Sequence, residues 1–314
     1  MAGMCLGFDT SNYTTSAAVF DGQEGENRGK LLTVAEGSLG LRQSEALFQH
    51  TKRLHLMVEQ LRTEGLIGQI QAVGASTQPR EVEGSYMPCF LVGEGQGRSL
   101  AAALGVPFFP CSHQQGHIAA AAWSAGRADL MDRPHLAWHL SGGTTELLYV
   151  RPMGHTVQAE VIGGTQDISA GQLVDRVGVA LGLDFPAGRA LDQLSQQSDA
   201  TDCFPVKTQQ GQFSLSGMEN KIKGMMERGT PPQDVARYTF ETLARVLSRT
   251  TAWAKETYGN LPVLCSGGVA SNTLIRTQLG GEGAVFAPPK YSTDNALGVA
   301  ILTHRAMERG AQHG

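Results

Sequence analysis

A two-lobed α/β fold is what this sequence predicts, on three observations. Strand-like and helix-like runs alternate along the chain. Two polar hairpins of the same plan, Gly7–Gly22 and His135–Val150, are each followed by helices. A third glycine turn, VLCSGGVASNTLI over Val263–Ile275, leads from an apolar strand into a helix. Such a duplication would set two lobes facing a cleft lined by polar turns at strand ends.

The elements follow in order. Met4–Phe8 and Ser16–Phe20 read as paired strands around the turn of GFDTSNYTTSAAVFDG. Gln43–Glu64 reads as a helix, with Leu47, Leu54, Val58 and Leu61 at helical spacing and Gly65 as its stop. Ile70–Ser76 is a short buried strand, Arg98–Leu104 a small-residue helix, and VPFFP a strand bracketed by prolines. SHQQGHIAAAAWSAG is a helix closed at Gly126. His135–Val150 then repeats the opening plan of strand, Gly/Ser/Thr turn and returning strand.

Bulk composition bounds the function. A chain of 314 residues can bury a large core. A formal net charge of −4 excludes a basic nucleic-acid footprint over the whole chain, though not a local patch. The 39 glycines sit in clusters between apolar runs, as in loops that approach a ligand closely. Five scattered cysteines without a CxxC pair argue against a disulfide framework or a Cys-rich zinc site. With no signal-like or membrane-spanning run to be read, the expectation is a cytoplasmic protein with no membrane partner.

Two HxxxH pairs are present. His113 and His117 open a helical segment, where positions i and i+4 lie ~6 Å apart on one face, so two imidazoles can share one ion. The alternative is a helix start with two exposed imidazoles. His135 and His139 lie in a strand, where four residues span ~13 Å, too far for joint chelation. A third ligand would be needed, and Asp294 in YSTDNALGVA is the candidate; it could equally cap the helix that follows. The Ser-Gly-Gly turns suit a phosphate, since glycine N–H groups can approach oxygens without Cβ interference.

These residues resemble the TsaD/Gcp (glycoprotease-like) family of the actin/hexokinase/Hsp70 superfamily, over nearly the whole chain. RSLAAALGVPFFPCSHQQGHI is similar to the family's metal-histidine segment, and LSGGTTELL to its second phosphate hairpin. DISAGQLVDRVGVALGLDFPAGRALDQLS resembles its nucleotide helix-and-loop, and GQFSLSGMENKI its Phe-Ser-Phe-Ser-Gly-Leu loop. SGGVASN resembles its adenosine turn, and STDNA its metal-binding Cys-Thr-Asp-Asn.

The resemblance implies an actin-like ATPase fold with a first lobe over residues 1–110 and a second over 111–292 carrying the metal and nucleotide site. Residues 293–314 would be a helix packing back on the first lobe. It implies a divalent metal, iron or zinc, on His113, His117 and Asp294. It implies ATP, AMP or an acyl-adenylate such as threonylcarbamoyl-AMP at Ser11, Leu140, Ser141, Gly142 and Gly143. Asp175, Gly188, Asp192, Gly267, Gly268 and Asn272 would surround the ribose and base. The reaction implied is transfer of threonylcarbamoyl to N6 of adenosine in tRNA. A related actin-like partner protein and the nucleotide itself are the expected partners. Asp9 and Tyr13 are the catalytic candidates in the first hairpin.

This sequence departs from the family pattern in four places. Where the family's first hairpin reads Glu-Thr-Ser-Cys-Asp-Glu-Thr, this one reads Asp9-Thr10-Ser11-Asn12-Tyr13-Thr14-Thr15, so the acid pair is Tyr13 and Thr14. Tyrosine, with a pKa near ~10, is a poor base at neutral pH. TQPREVEGSY replaces a Gly-Pro-Gly loop, Thr144 replaces a His, and Glu219 replaces a Lys. The alternative these changes suggest is a catalytically altered nucleotide- and metal-binding paralogue with a binding or regulatory role. The chemistry argues against a metalloprotease: HxxxH lacks the Glu that serves as general base in HExxH.

Overall fold

The computed structural model describes residues 3–11, 13–34, 41–292 and 295–312, the side chains of 311 and 312 excepted. Contacts divide the chain into two units. One comprises Met1–Asp132, Arg151–Gln158 and Thr293–Gly314; the other comprises Arg133–Val150 and Ala159–Ser292.

In the first unit, β1 (Met4–Asp9), β2 (Thr14–Phe20) and β3 (Gly25–Leu31) form an antiparallel meander. After helix α1 (Gln43–Thr63), β4 (Ile70–Gln78) pairs parallel with β1. Helix α2 (Phe90–Leu104) leads to β5 (Phe108–Ser112), parallel to β4. The sheet order is β3-β2-β1-β4-β5. Strand β3 was not legible in sequence because GENRGKL is polar and lies at the sheet edge. Helix α2 begins eight residues before the Arg98 expected from sequence. Its early turns carry Gly93 and Gly97, which hide the apolar period and let the helix pack against Thr10 and Phe8. Leu54 and Leu61 of α1 close the core against Leu6, Phe8, Val19 and Val73. Burying each such side chain contributes roughly 1.5–3 kcal/mol.

Helix α3 (His113–Ser124) starts at the residue after β5. Ser112 is both the last strand residue and the N-cap: its Oγ accepts from Gln115 N, while Gln115 Oε1 accepts from Ser112 N at 2.8 Å. With no linker at this junction, α3 stays with the first unit. That unit therefore runs through Asp132, past the boundary at 110 expected from sequence, and His113 and His117 belong to it.

The second unit repeats the plan. β6 (His135–Leu140) and β7 (Thr145–Met153) are antiparallel, and β7 neighbours β8 (Thr156–Thr165). Helices α4 (Ala170–Ala180) and α5 (Gly188–Ser195), the short strands β9 (Thr208–Gln209) and β10 (Gln212–Phe213), and helices α6 (Ser216–Glu227) and α7 (Pro232–Tyr258) follow. β11 (Val263–Ser266) pairs parallel with β6; helix α8 (Thr273–Gly281) leads to β12 (Ala284–Phe286), parallel to β11. The order β12-β11-β6-β7-β8-β10-β9 contains β8-β7-β6-β11-β12, the counterpart of β3-β2-β1-β4-β5. Trp138, Leu140, Leu147 and Phe240 anchor this core.

Helix α9 (Leu297–Gln312) returns to the first unit and packs on β1, β2, β4 and α3. The crossing with α3 requires glycine: a Cβ on Gly298 would lie 1.8 Å from the carbonyl oxygen of Gly116. Among the described residues, no helix is long and apolar enough to cross a membrane.

Candidate active site

The first unit gathers a polar cluster at the end of β1. Asp9 is fully buried, as are Ser11 and Ser76. The Ser11 hydroxyl donates to Asp9 Oδ2 at 3.0 Å, and the Ser76 hydroxyl, from β4, donates to Oδ1. His113 Nδ1 lies 3.2 and 3.1 Å from the two carboxylate oxygens. One helical turn on, His117 Nε2 sits 2.9 Å from His113 Nε2, the rings edge to face. The expected i, i+4 pair is thus brought together. Two imidazole nitrogens each ~2.0–2.1 Å from a shared ion are ~2.8–3.4 Å apart for angles between octahedral and tetrahedral, so this spacing fits a common metal. Asp294, the expected third ligand, lies outside the described residues, and among the described residues there is no cluster of three metal-ligating side chains.

In the first hairpin the hydroxyls of Thr10, Thr15 and Ser16 turn inward. Thr10 Oγ1 donates to Cys89 O at 2.9 Å, and Ser16 Oγ to Asp9 O at 3.3 Å. Thr15 Oγ1 meets Nδ1 of buried His50 at 2.8 Å. Burial pushes the His50 imidazole down to about 4, against a smaller opposing pull from Asp9. Of the two residues at the family's acid positions, Thr14 is buried and Tyr13 is 41% exposed at the turn. Neither His50 nor Ser76 was singled out from sequence. His50 had a readable signal, since it falls on the α1 stripe between Leu47 and Leu54; Ser76, at the end of an apolar strand, had none.

In the second unit the Ser-Gly-Gly turn between β6 and β7 meets the N-terminus of α4. Ser141 N donates to Thr144 O at 2.8 Å, and Thr144 N to Ser141 Oγ at 3.1 Å. Ser169, the N-cap of α4, donates to Gly142 O at 2.6 Å, and Ala170 N donates to Thr145 Oγ1 at 2.8 Å. A Cβ on Gly142 or Gly143 would meet no atom within 4 Å, so open space lies over the turn. Beside it, Gly267 has φ +96°, and a Cβ there would lie 2.1 Å from Leu140 O. Gly268 is open like Gly142. The third glycine turn does not run directly into α8, as sequence suggested: a 3-10 turn, Gly268–Ser271, intervenes.

The expected ribose and base residues also hold the unit together. Asp175 accepts from Ala187 N at 2.9 Å, which places Gly188 at the start of α5. Asp192 accepts from Asn272 Nδ2, and from Thr273 Oγ1 at 2.9 Å. Asn272 Oδ1 caps α8 through Ile275 N at 3.0 Å. Asp167 fastens the SLSG loop, accepting from Ser214 Oγ, Leu215 N and Ser216 N. Burial alone would raise its pKa, but these hydrogen bonds outweigh it and hold the carboxyl well below the usual range. Glu219, at the family's Lys position, pairs with Arg176 at 2.8 Å.

Residues 37–301 match the family model described as TsaD, tRNA N6-adenosine threonylcarbamoyltransferase. The chain belongs to this family. A Thermus thermophilus TsaD relative, named tRNA N6-adenosine threonylcarbamoyltransferase, is 32% identical over 97% of this chain and 93% of its own. One of the same name from Streptococcus gordonii is 28% identical over 95% of this chain and 90% of its own. Among solved structures, T. kodakarensis HypF superposes with TM-score 0.64 at 14% identity, covering 99% of this chain and 48% of that longer one. Component A of the (R)-2-hydroxyglutaryl-CoA dehydratase of Acidaminococcus fermentans gives 0.53 at 16%, covering 98% and 99%. These likenesses and the repeated five-strand order make the fold the two-lobed actin-like ATPase fold with duplicated mixed sheets.

Proposed function

We propose that this TsaD-family protein transfers a threonylcarbamoyl group from threonylcarbamoyl-adenylate to N6 of an adenosine in tRNA, with AMP as the leaving group. The family match over residues 37–301 carries this reading. A tRNA substrate also puts the work in the cytoplasm. The Ser141–Gly143 turn and Gly267–Gly268 would present backbone N–H groups to the adenylate phosphate, in the space left open over Gly142, Gly143 and Gly268. Asp175, Asp192 and Asn272 would face the ribose and base with the acceptor and donor capacity their structural bonds leave unused.

His113 and His117, with Asp294, would hold a divalent iron or zinc ion. Such an ion supplies Lewis-acid polarisation of a carbonyl oxygen. Tyr13 stands exposed at the tip of the first hairpin, with a phenol hydroxyl that can donate or accept a hydrogen bond. The test is to incubate the purified protein with threonylcarbamoyl-adenylate and unmodified tRNA, with and without a related actin-like partner protein. Modified adenosine, detected by mass spectrometry of the digested tRNA, is the expected result. No product under either condition would overturn the proposal.

A further inference from the structure

We infer that Asp9 is a positioning residue that sets the tautomer and ring orientation of His113 for metal binding; this rests on the metal reading of the His113–His117 pair. Asp9 is fully buried, and both of its oxygens accept hydrogen bonds within the first unit, from Ser11 and Ser76. It faces Nδ1 of His113, while His117 faces Nε2. The carboxylate therefore sits on the side of the ring away from the shared metal position.

A carboxylate only accepts, so the 3.1 Å contact assigns the proton to His113 Nδ1. In the neutral ring, Nε2 then presents its lone pair toward the point it shares with His117. This is the arrangement in which an outer carboxylate orients a ligating imidazole and raises its basicity, and loss of such a partner typically weakens metal binding by 10–100-fold. Three segments converge to build it: the end of β1 supplies Asp9, the end of β4 supplies Ser76, and the first turn of α3 supplies His113. The two hydroxyls fix the carboxylate, and the capping box at Ser112–Gln115 fixes the backbone of His113.

The test uses the full chain. In metal-free, 15N-histidine-labelled wild type, long-range nitrogen–proton correlation spectra should show His113 protonated on Nδ1. Zinc affinity, measured by competition with a chromophoric chelator, should fall ~10–100-fold in Asp9→Ala. Asp9→Asn keeps an acceptor oxygen and should lose less. Zinc affinity within about threefold of wild type in folded Asp9→Ala would overturn the inference, as would His113 protonated on Nε2 in the wild type. The wild-type spectrum decides even where Asp9→Ala does not fold. Wild-type protein that binds neither zinc nor iron would overturn the metal reading, and the tautomer in the same sample would still report on Asp9.

Discussion

The two hairpins share a plan and a place in their sheets, yet they have become different devices. Between β1 and β2, the side chains of Thr10, Ser11, Thr15 and Ser16 turn inward and bond to protein atoms. Between β6 and β7, Gly142 and Gly143 leave open space over the backbone. The first hairpin holds a carboxylate behind a histidine; the second leaves its glycine backbone uncovered. The same strand order can thus serve two kinds of chemistry, because turn side chains decide whether space over the backbone is filled or left open.

The largest effect expected from breaking this contrast is at His113. His113→Ala should lower transfer by at least ~100-fold, beyond the range for loss of an outer partner, with AMP affinity unchanged by calorimetry. Next come paired glycine substitutions in the second unit. Gly267→Ala puts a Cβ into Leu140 O at a positive φ, and should cost on the order of 3 kcal/mol in urea melts. Gly143→Ala should leave stability within ~0.5 kcal/mol, since nothing lies near its Cβ, yet weaken AMP binding by filling the open space over the turn.

His50 sharpens the contrast through pH. Its imidazole stays neutral in the folded protein down to about 4, whereas the unfolded chain takes up the proton near 6.5. This contribution is fully present above 6.5 and is lost as pH falls toward 4. The loss should amount to about 2 kcal/mol at pH 5, and His50→Asn should flatten that slope in melts at pH 5 and pH 7.5. The smallest effect is at the hairpin tip, where Tyr13→Phe should change the transfer rate less than ~10-fold, because a phenol is a poor base at neutral pH. A loss above 10²-fold would make the Tyr13 hydroxyl a direct participant.

Much of this was legible from residues alone. The two hairpins, the Gln43 helix and the strand at Ile70 follow from apolar spacing and glycine stops, and the structure has them within a few residues. β3 was not, since an edge strand made of GENRGKL has no apolar alternation. The start of α2 was hidden by glycines whose role is packing on β1. The HxxxH spacing pointed to the His113–His117 pair, but nothing in the sequence coupled Ser76 to Asp9.

By itself, then, the sequence determined the local periods, the polar glycine turns and the family, because each is written in neighbouring residues or in ordered motifs. The tertiary structure alone decided that Asp9, Ser76 and His113 converge, that α3 stays with the first unit, and that Asp192 and Asn272 bond to each other. Those contacts join residues far apart in the chain. Only sheet pairing and helix packing, which depend on the whole core, bring them within hydrogen-bond reach.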